Sequence, residues 1–293
     1  MKIIDTHVHV WNIDSYRLPW LDTEGPVLKR NWAPSDYQAS LVEGHGYEFD
    51  QAVYIEVDMA AYERPRENSM ACEMVDDPEG MFGGCCISGD LTSPDFDSYI
   101  EEWAQHPEIK GLRQVLHVPS AAPGTCLLPQ FMENVRKLGE LGLVYEGCLR
   151  CPEIGDLVTV AKECPDTTIV LDHMGIVDAD IMAQTNPTED ERSYQDAWKA
   201  NMKALGSLDN VVCKVSGLNP TGEWSTESLA RAVDVALDAF DADKVVFASN
   251  FPVLNTALSL DDWITAMLSI TESMPADDRE ALFSGNAKRV YKL

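Results

Sequence analysis

Eight short runs rich in β-branched residues recur along the chain: Lys2 to Val10, Gln51 to Asp58, Met81 to Ser88, Ile109 to Leu116, Leu143 to Leu149, Thr168 to His173, Val211 to Ser216 and Lys244 to Ser249. β-branched side chains favour a pleated backbone, so each run predicts a strand. Between them lie segments with apolar residues at three-and-four spacing. Ser35 is placed to cap a helix opening at Pro34, and Ser93-Pro94-Asp95-Phe96 to open another with proline in its first turn. Pro129 to Leu141, Glu153 to Cys164, Tyr194 to Leu208 and Ser225 to Phe240 repeat the pattern, the last with Ser225 as cap and Glu227 complementing the helix dipole. Parallel strands cannot be joined by tight hairpins, so this alternation predicts a parallel sheet with crossover helices. Eight strands favour closure into a single-domain α/β fold, the (β/α)8 TIM barrel. No glycine-rich phosphate loop follows the first run, which sets aside a dinucleotide-binding sheet. No repeat or break in composition divides residues 1–293, so one domain is expected.

Composition bounds the function. The chain is 45% hydrophobic and 24% charged, an ordinary globular balance, and no run approaches the ~18 apolar residues of a membrane span. The first residues show no secretory pattern, and a cytoplasmic location is the expectation. A formal net charge of −27 argues against nucleic acid or an anionic membrane as partner, because both are bound through Lys and Arg. A small-molecule substrate is the partner left. Eight cysteines without regular spacing, including Cys85-Cys86 and the single C-x-x-C of Cys148 and Cys151, read as reduced and mostly buried thiols.

Ligands of barrels gather at the carboxyl ends of the strands. There the sequence offers His7 and His9 on the first strand, Glu56 on the second, Arg113 and His117 on the fourth, Glu146 on the fifth, His173 on the sixth, Lys214 and Ser216 on the seventh and Asn250 after the eighth. Strand alternation puts Asp5, His7 and His9 on one face, with Asp5 deeper in the barrel as a support. Two imidazoles on one face can chelate a divalent ion or polarise one carbonyl oxygen, and His173 would make three. Arg113 has the planar fork that suits a carboxylate or polyol. Glu56 and Glu146 are the carboxylates placed for proton transfer, and either could instead neutralise Arg113. Asp172 precedes His173 and by alternation should face away. The connection from Trp11 to Pro34 is aromatic and proline-rich and reads as a lid; it brings Trp20 toward the substrate beside Arg113 and Glu56. A second long connection, Gly175 to Ser193, would also overhang the mouth.

Asp5-Thr6-His7-Val8-His9-Val10-Trp11 resembles the opening motif of the amidohydrolase superfamily, and Pro19-Trp20-Leu21 resembles its second family, which includes sugar-lactone and pyrone-dicarboxylate lactonases. Gly111-Leu112-Arg113, Leu171-Asp172-His173-Met174-Gly175, Lys214-Val215-Ser216-Gly217-Leu218 and the closing Phe283 to Tyr291 segment are similar to further elements of that family, in the same order. The resemblance implies a barrel hydrolase that opens cyclic esters, with His7, His9 and His173 around the carbonyl. One divalent ion, zinc by preference, is implied as a cofactor on those three histidines, with metal-independent catalysis the other option. It also implies an aspartate base ending strand eight. Here Ala248-Ser249-Asn250-Phe251-Pro252 carries asparagine instead, and an amide cannot take a proton from water. Catalytic expectation therefore rests on His7, His9, His173, Asn250 as a positioner of water, and Glu146. Other options are a metal-dependent decarboxylase of an unsaturated or aromatic acid, and a ligand-binding barrel that has lost its base.

Overall fold

Every strand-like run of the sequence becomes a strand in the computed structural model, which describes all 293 residues. They are β1 (Lys2–Val8), β2 (Glu48–Ile55), β3 (Phe82–Ser88), β4 (Ile109–Val115), β5 (Val144–Cys148), β6 (Ile169–Leu171), β7 (Val211–Val215) and β8 (Val245–Phe247). The eight lie in one sheet in chain order, each parallel to the next. The ring closes through residues just past β8. Asn250 N–H donates to the His7 carbonyl at 3.0 Å, His9 N–H donates to the Phe251 carbonyl at 2.7 Å, and Val8 bridges Phe251 in parallel. The result is the (β/α)8 barrel that the alternation predicts.

Two apolar layers hold it. Between strands and helices runs a continuous core that includes Tyr54, Phe96, Phe131, Tyr145, Trp198 and Phe247. Inside the barrel, Val53, Ile55, Cys86, Val144, Val170, Val212 and Val246 meet Tyr291 in a separate small cluster. Branched side chains of this size fill a barrel interior completely. That apolar floor forces anything polar in the interior upward, toward the strand ends.

Several local expectations are corrected. The β1 register slips between Asp5 and Val8, so strict alternation fails there. Asp5 accepts from Tyr37 Oη and Ser249 N–H, both at 2.9 Å, which turns it to the helical layer rather than down the barrel. The helix Pro34–Ala39 is capped at Ala33, whose N–H bonds the Asp36 carboxylate at 2.8 Å, and Ser35 is not its cap. Phe96–Trp103 starts after Asp95, which leaves Pro94 outside the helix. Ser225 caps Thr226–Ala239 as expected, its Oγ accepting from Ser228 N–H at 3.1 Å. Gly175 to Ser193 reaches the mouth through Ile176, but it is not a plain loop: it folds into Ala179–Ala183 and the first turn of Glu189–Gly206, capped by Asp178 and Thr188. The Trp11 to Pro34 connection does overhang: Trp11 pairs with Trp32, and a short 3-10 turn, Pro19–Thr23, lies over the mouth. All eight cysteines are free and buried. No helix is long and apolar enough to cross a membrane.

Candidate active site

A cavity of about 780 Å³ opens at the carboxyl ends of the strands. His9, His173, His117, Arg113, Asn250 and Asp58 bring polar groups to its wall, and Trp20 and Leu28 roof it from the Trp11–Pro34 connection. Trp20 is held in place by its indole N–H, which donates to the Val57 carbonyl at 2.8 Å. Five residues of the lining, Asp58, His173, Ile176, Gly217 and Asn250, have positive φ. Four of them are not glycine, and such backbone persists only where the surroundings over-determine it, as at ligand sites.

Beneath the cavity lies a buried polar layer. Lys214 Nζ donates to Glu146 Oε2 at 2.6 Å and lies 3.1 Å from His7 Nδ1. His7 Nε2 faces His9 Nε2 at 3.1 Å and Arg113 Nη1 at 3.3 Å, so both nitrogens of the His7 ring meet a cationic donor. His9 Nδ1 stands 2.8 Å from the Ile55 carbonyl, which can only accept, so His9 is protonated at Nδ1 and its Nε2 is an acceptor. Arg113 completes the layer: Nε donates to Glu56 Oε1 and Nη2 to the Glu56 carbonyl, both at 2.5 Å.

Burial dominates the electrostatics. It pulls His7 and His9 well below the usual imidazole range, with Lys214 and Arg113 respectively adding to the effect. It lowers His173 to about 3 and His117 to about 4. All four rings are therefore neutral near pH 7. Burial raises Glu146 to about 7, against Lys214 and with Asp172. Asp172 is held well below the usual carboxylate range because the Lys214 charge and His7 outweigh its burial. Asp58, largely buried and beside Glu56, is raised to about 6.

The structure gathers His7, His9, His173, Arg113 and Asn250 around one centre. The His7 ring lies 4.7 Å from His9 and 4.3 Å from His173, centroid to centroid. His173 is anchored through Nδ1 to Ser216 Oγ at 2.8 Å, which leaves Nε2 for the cavity side. Glu56 and Glu146 are not in the cavity wall. Glu56 is the counter-ion of Arg113, and Glu146 is that of Lys214 while also accepting from Tyr291 Oη at 2.7 Å. Asp172 corrects the alternation expectation: β6 ends at Leu171, His173 takes φ 55°, and Asp172 lies 3.3 Å from both His7 Nδ1 and Lys214 Nζ. One further residue escaped the sequence reading: Asp58 follows the end of β2 at φ 49° and supplies the cavity with a carboxyl. Lys214, expected at the mouth, lies instead beneath the cavity as the buried cation that organises the layer.

Strand-end imidazoles over a closed parallel barrel define the class, a barrel hydrolase of the amidohydrolase type. The family model described as Amidohydrolase matches residues 4–293, and the chain belongs to that family. It is 26% identical over 302 residues to an L-fucono-1,5-lactonase of Burkholderia multivorans, covering 99% of this chain and 96% of the relative. Among solved structures it is similar to amidohydrolase 2 from Bifidobacterium longum subsp. infantis, with TM-score 0.73, 27% identity and coverage of 100% and 99% of the two chains. An amidohydrolase of Burkholderia multivorans solved with bound zinc superposes with TM-score 0.85 at 24% identity, covering both chains fully.

The donor set fits a divalent ion. His7, Asp172 and His173 bring ligand atoms within 4.8 Å of one another, and both Asp172 oxygens are buried without a hydrogen-bond partner. The facing Nε2 atoms of His7 and His9 are 3.1 Å apart, near the roughly 3.3 Å between two nitrogens on one tetrahedral zinc. Two cations oppose such an ion by charge, since Lys214 Nζ is 3.1 Å and Arg113 Nη1 3.3 Å from the His7 ring nitrogens.

Proposed function

We propose that the protein hydrolyses a small, oxygen-rich lactone at the mouth of the barrel, with Asp58 as the general base. The observation that carries this reading is the convergence on one cavity of a carboxyl raised to about 6, a guanidinium and three neutral imidazoles. The lactonase among the relatives supports the same reaction class.

The substrate carbonyl oxygen lies against Arg113 and His173, donors that strengthen as the oxygen gains charge. Asp58 takes a proton from water oriented by Asn250, and the hydroxide adds to the carbonyl carbon. The tetrahedral intermediate collapses by breaking the ring C–O bond. The proton held by Asp58 passes to the leaving alkoxide, and the product is one hydroxy acid. A base with a pKa near 6 is ionised at neutral pH and still basic enough to help. Glu56 keeps Arg113 charged and in register, and Glu146 and Asp172 do so for Lys214. Trp20 closes the cavity against bulk water and contacts the substrate.

His7, His9 and His173, with Asp172, would hold a divalent ion, zinc by preference, and it would supply further polarisation of the carbonyl.

The test is a panel of sugar-acid lactones including L-fucono-1,5-lactone, assayed for hydroxy acid and for carbon dioxide before and after chelation. Hydroxy acid formation, with a rate that rises through pH 6 and falls about 10² to 10⁴-fold in Asp58→Asn, is the expected result. Carbon dioxide release, or ligand-induced thermal stabilisation with no product, would sink the proposal.

A further inference from the structure

A second cluster of metal-binding side chains lies on the outside of the barrel at the opposite face from the mouth. Cys72 stands near the end of the helix Arg64–Asp76, and Cys85 lies in β3. His106 and Glu108 belong to the short turn that enters β4. Strand starts mark the face away from the cavity, where barrel residues serve stability rather than chemistry.

The Cys72, His106 and Glu108 ligand atoms all lie within 4.8 Å of one another. Cys85 lies beside this group: its Sγ donates to the Glu108 carbonyl at 3.5 Å, and its N–H donates to the same oxygen at 2.9 Å. One sulfur, an imidazole and a carboxylate thus share one pocket, with a second sulfur against the same turn. Glu108 Oε2 is buried and has no hydrogen-bond partner. Its distance to His106 Nδ1, 3.7 Å, is too long for a hydrogen bond and matches two ligands spanning one ion with bonds of about 2.0–2.2 Å. The imidazole is oriented by Trp103, whose ring lies 5.5 Å away and tilted by 33°. Charge also favours a cation: the charged neighbours acting most strongly on the Cys72 thiol are Glu108 and Asp76, both negative. The mouth differs in this respect, since Lys214 and Arg113 crowd its donors.

We propose that Cys72, Cys85, His106 and Glu108 form a structural zinc site. Thiolate, imidazole and carboxylate are the donors zinc takes in closed tetrahedral sites. Binding releases the thiol protons of the coordinating cysteines to solvent, and the ion ties the helix to the β3–β4 connection. His106 is 48% exposed, which leaves an entry path.

Cobalt(II) titrated into the whole chain under a phosphine reductant tests this. The expected result is thiolate-to-cobalt charge-transfer absorption saturating at one equivalent, and a melting temperature that rises with zinc chloride. Cys72→Ser should abolish the band. His106→Ala, a half-exposed change that the fold tolerates, should weaken binding at least ten-fold and remove the zinc-dependent rise in melting temperature. His9→Gln, which disables the mouth, should leave both intact. Absence of the band at one equivalent, unchanged cobalt affinity in His106→Ala or loss of the band in His9→Gln would overturn the proposal.

Discussion

Lys214 Nζ lies 2.6 Å from Glu146 Oε2, and neither side chain has any contact with solvent. A lysine in the barrel interior is tolerated because two carboxylates surround it, Glu146 and, at 3.3 Å, Asp172. Removing one member of such a set strands the others as unpaired buried charges. Lys214→Met is therefore expected to destabilise the protein by about 3–5 kcal/mol, read from urea unfolding. A loss under about 1 kcal/mol would mean that the layer does not carry the charges assigned to it.

Glu67 ties the exit of β2 to the helix behind it, accepting from Val57 N–H at 2.7 Å and Tyr54 Oη at 3.1 Å. Burial, and then the charge of Glu56, raise it from 4.5 to about 8. A carboxyl raised on folding contributes stability that is fully present below its unfolded pKa and is lost as pH rises through the folded one. Wild type should lose stability relative to Glu67→Gln between about pH 5 and pH 8, at up to 1.4 kcal/mol per unit. Parallel pH dependences of the two proteins in denaturant titrations would refute it.

Asn250 has φ 63°, a conformation that Asp adopts nearly as readily as Asn, so Asn250→Asp should fold without strain. Asp58 and Asn250 line the same cavity. A carboxylate at position 250 is accordingly expected to rescue Asp58→Asn, restoring lactone hydrolysis at least ten-fold. Steady-state rates of the single and double variants decide this, and an equally inactive double variant would show that position 250 cannot reach the water.

Trp20 holds the roof through one hydrogen bond to Val57. Trp20→Phe keeps most of the apolar surface and loses that bond, a change of about 1 kcal/mol. We expect KM to rise about five-fold with kcat little changed. A fall in kcat alone would place Trp20 in the chemistry instead.

The barrel was legible because parallel strands buried on both faces leave dense β-branched runs such as Ile169-Val170-Leu171. His7, His9, His173 and Arg113 were legible because polar residues at the ends of such runs have one cavity to share. Alternation failed where strands stop. Asp172, still extended at φ −67°, keeps phase with the inward Val170, and it is His173, at φ 55°, that reaches the site against the period, as does Asp58 at φ 49° past the end of β2. The helix Arg64–Asp76 opens on Arg-Pro-Arg-Glu-Asn and has almost no apolar stripe, which hid Glu67 and the outer cysteine pocket from a reading by periodicity.

The barrel wall is sealed only when Asn250 and Phe251 reach the backbone of His7 and His9, and Tyr291 plugs the floor against Glu146. The opening strand thus waits for partners made some 240 residues later, and its histidines cannot acquire their neutral, desolvated state beforehand. Such long-range pairing slows folding. Assembly of the reactive centre should consequently be among the last events as the chain folds, and refolding kinetics followed by recovery of hydrolysis should lag those followed by far-ultraviolet circular dichroism.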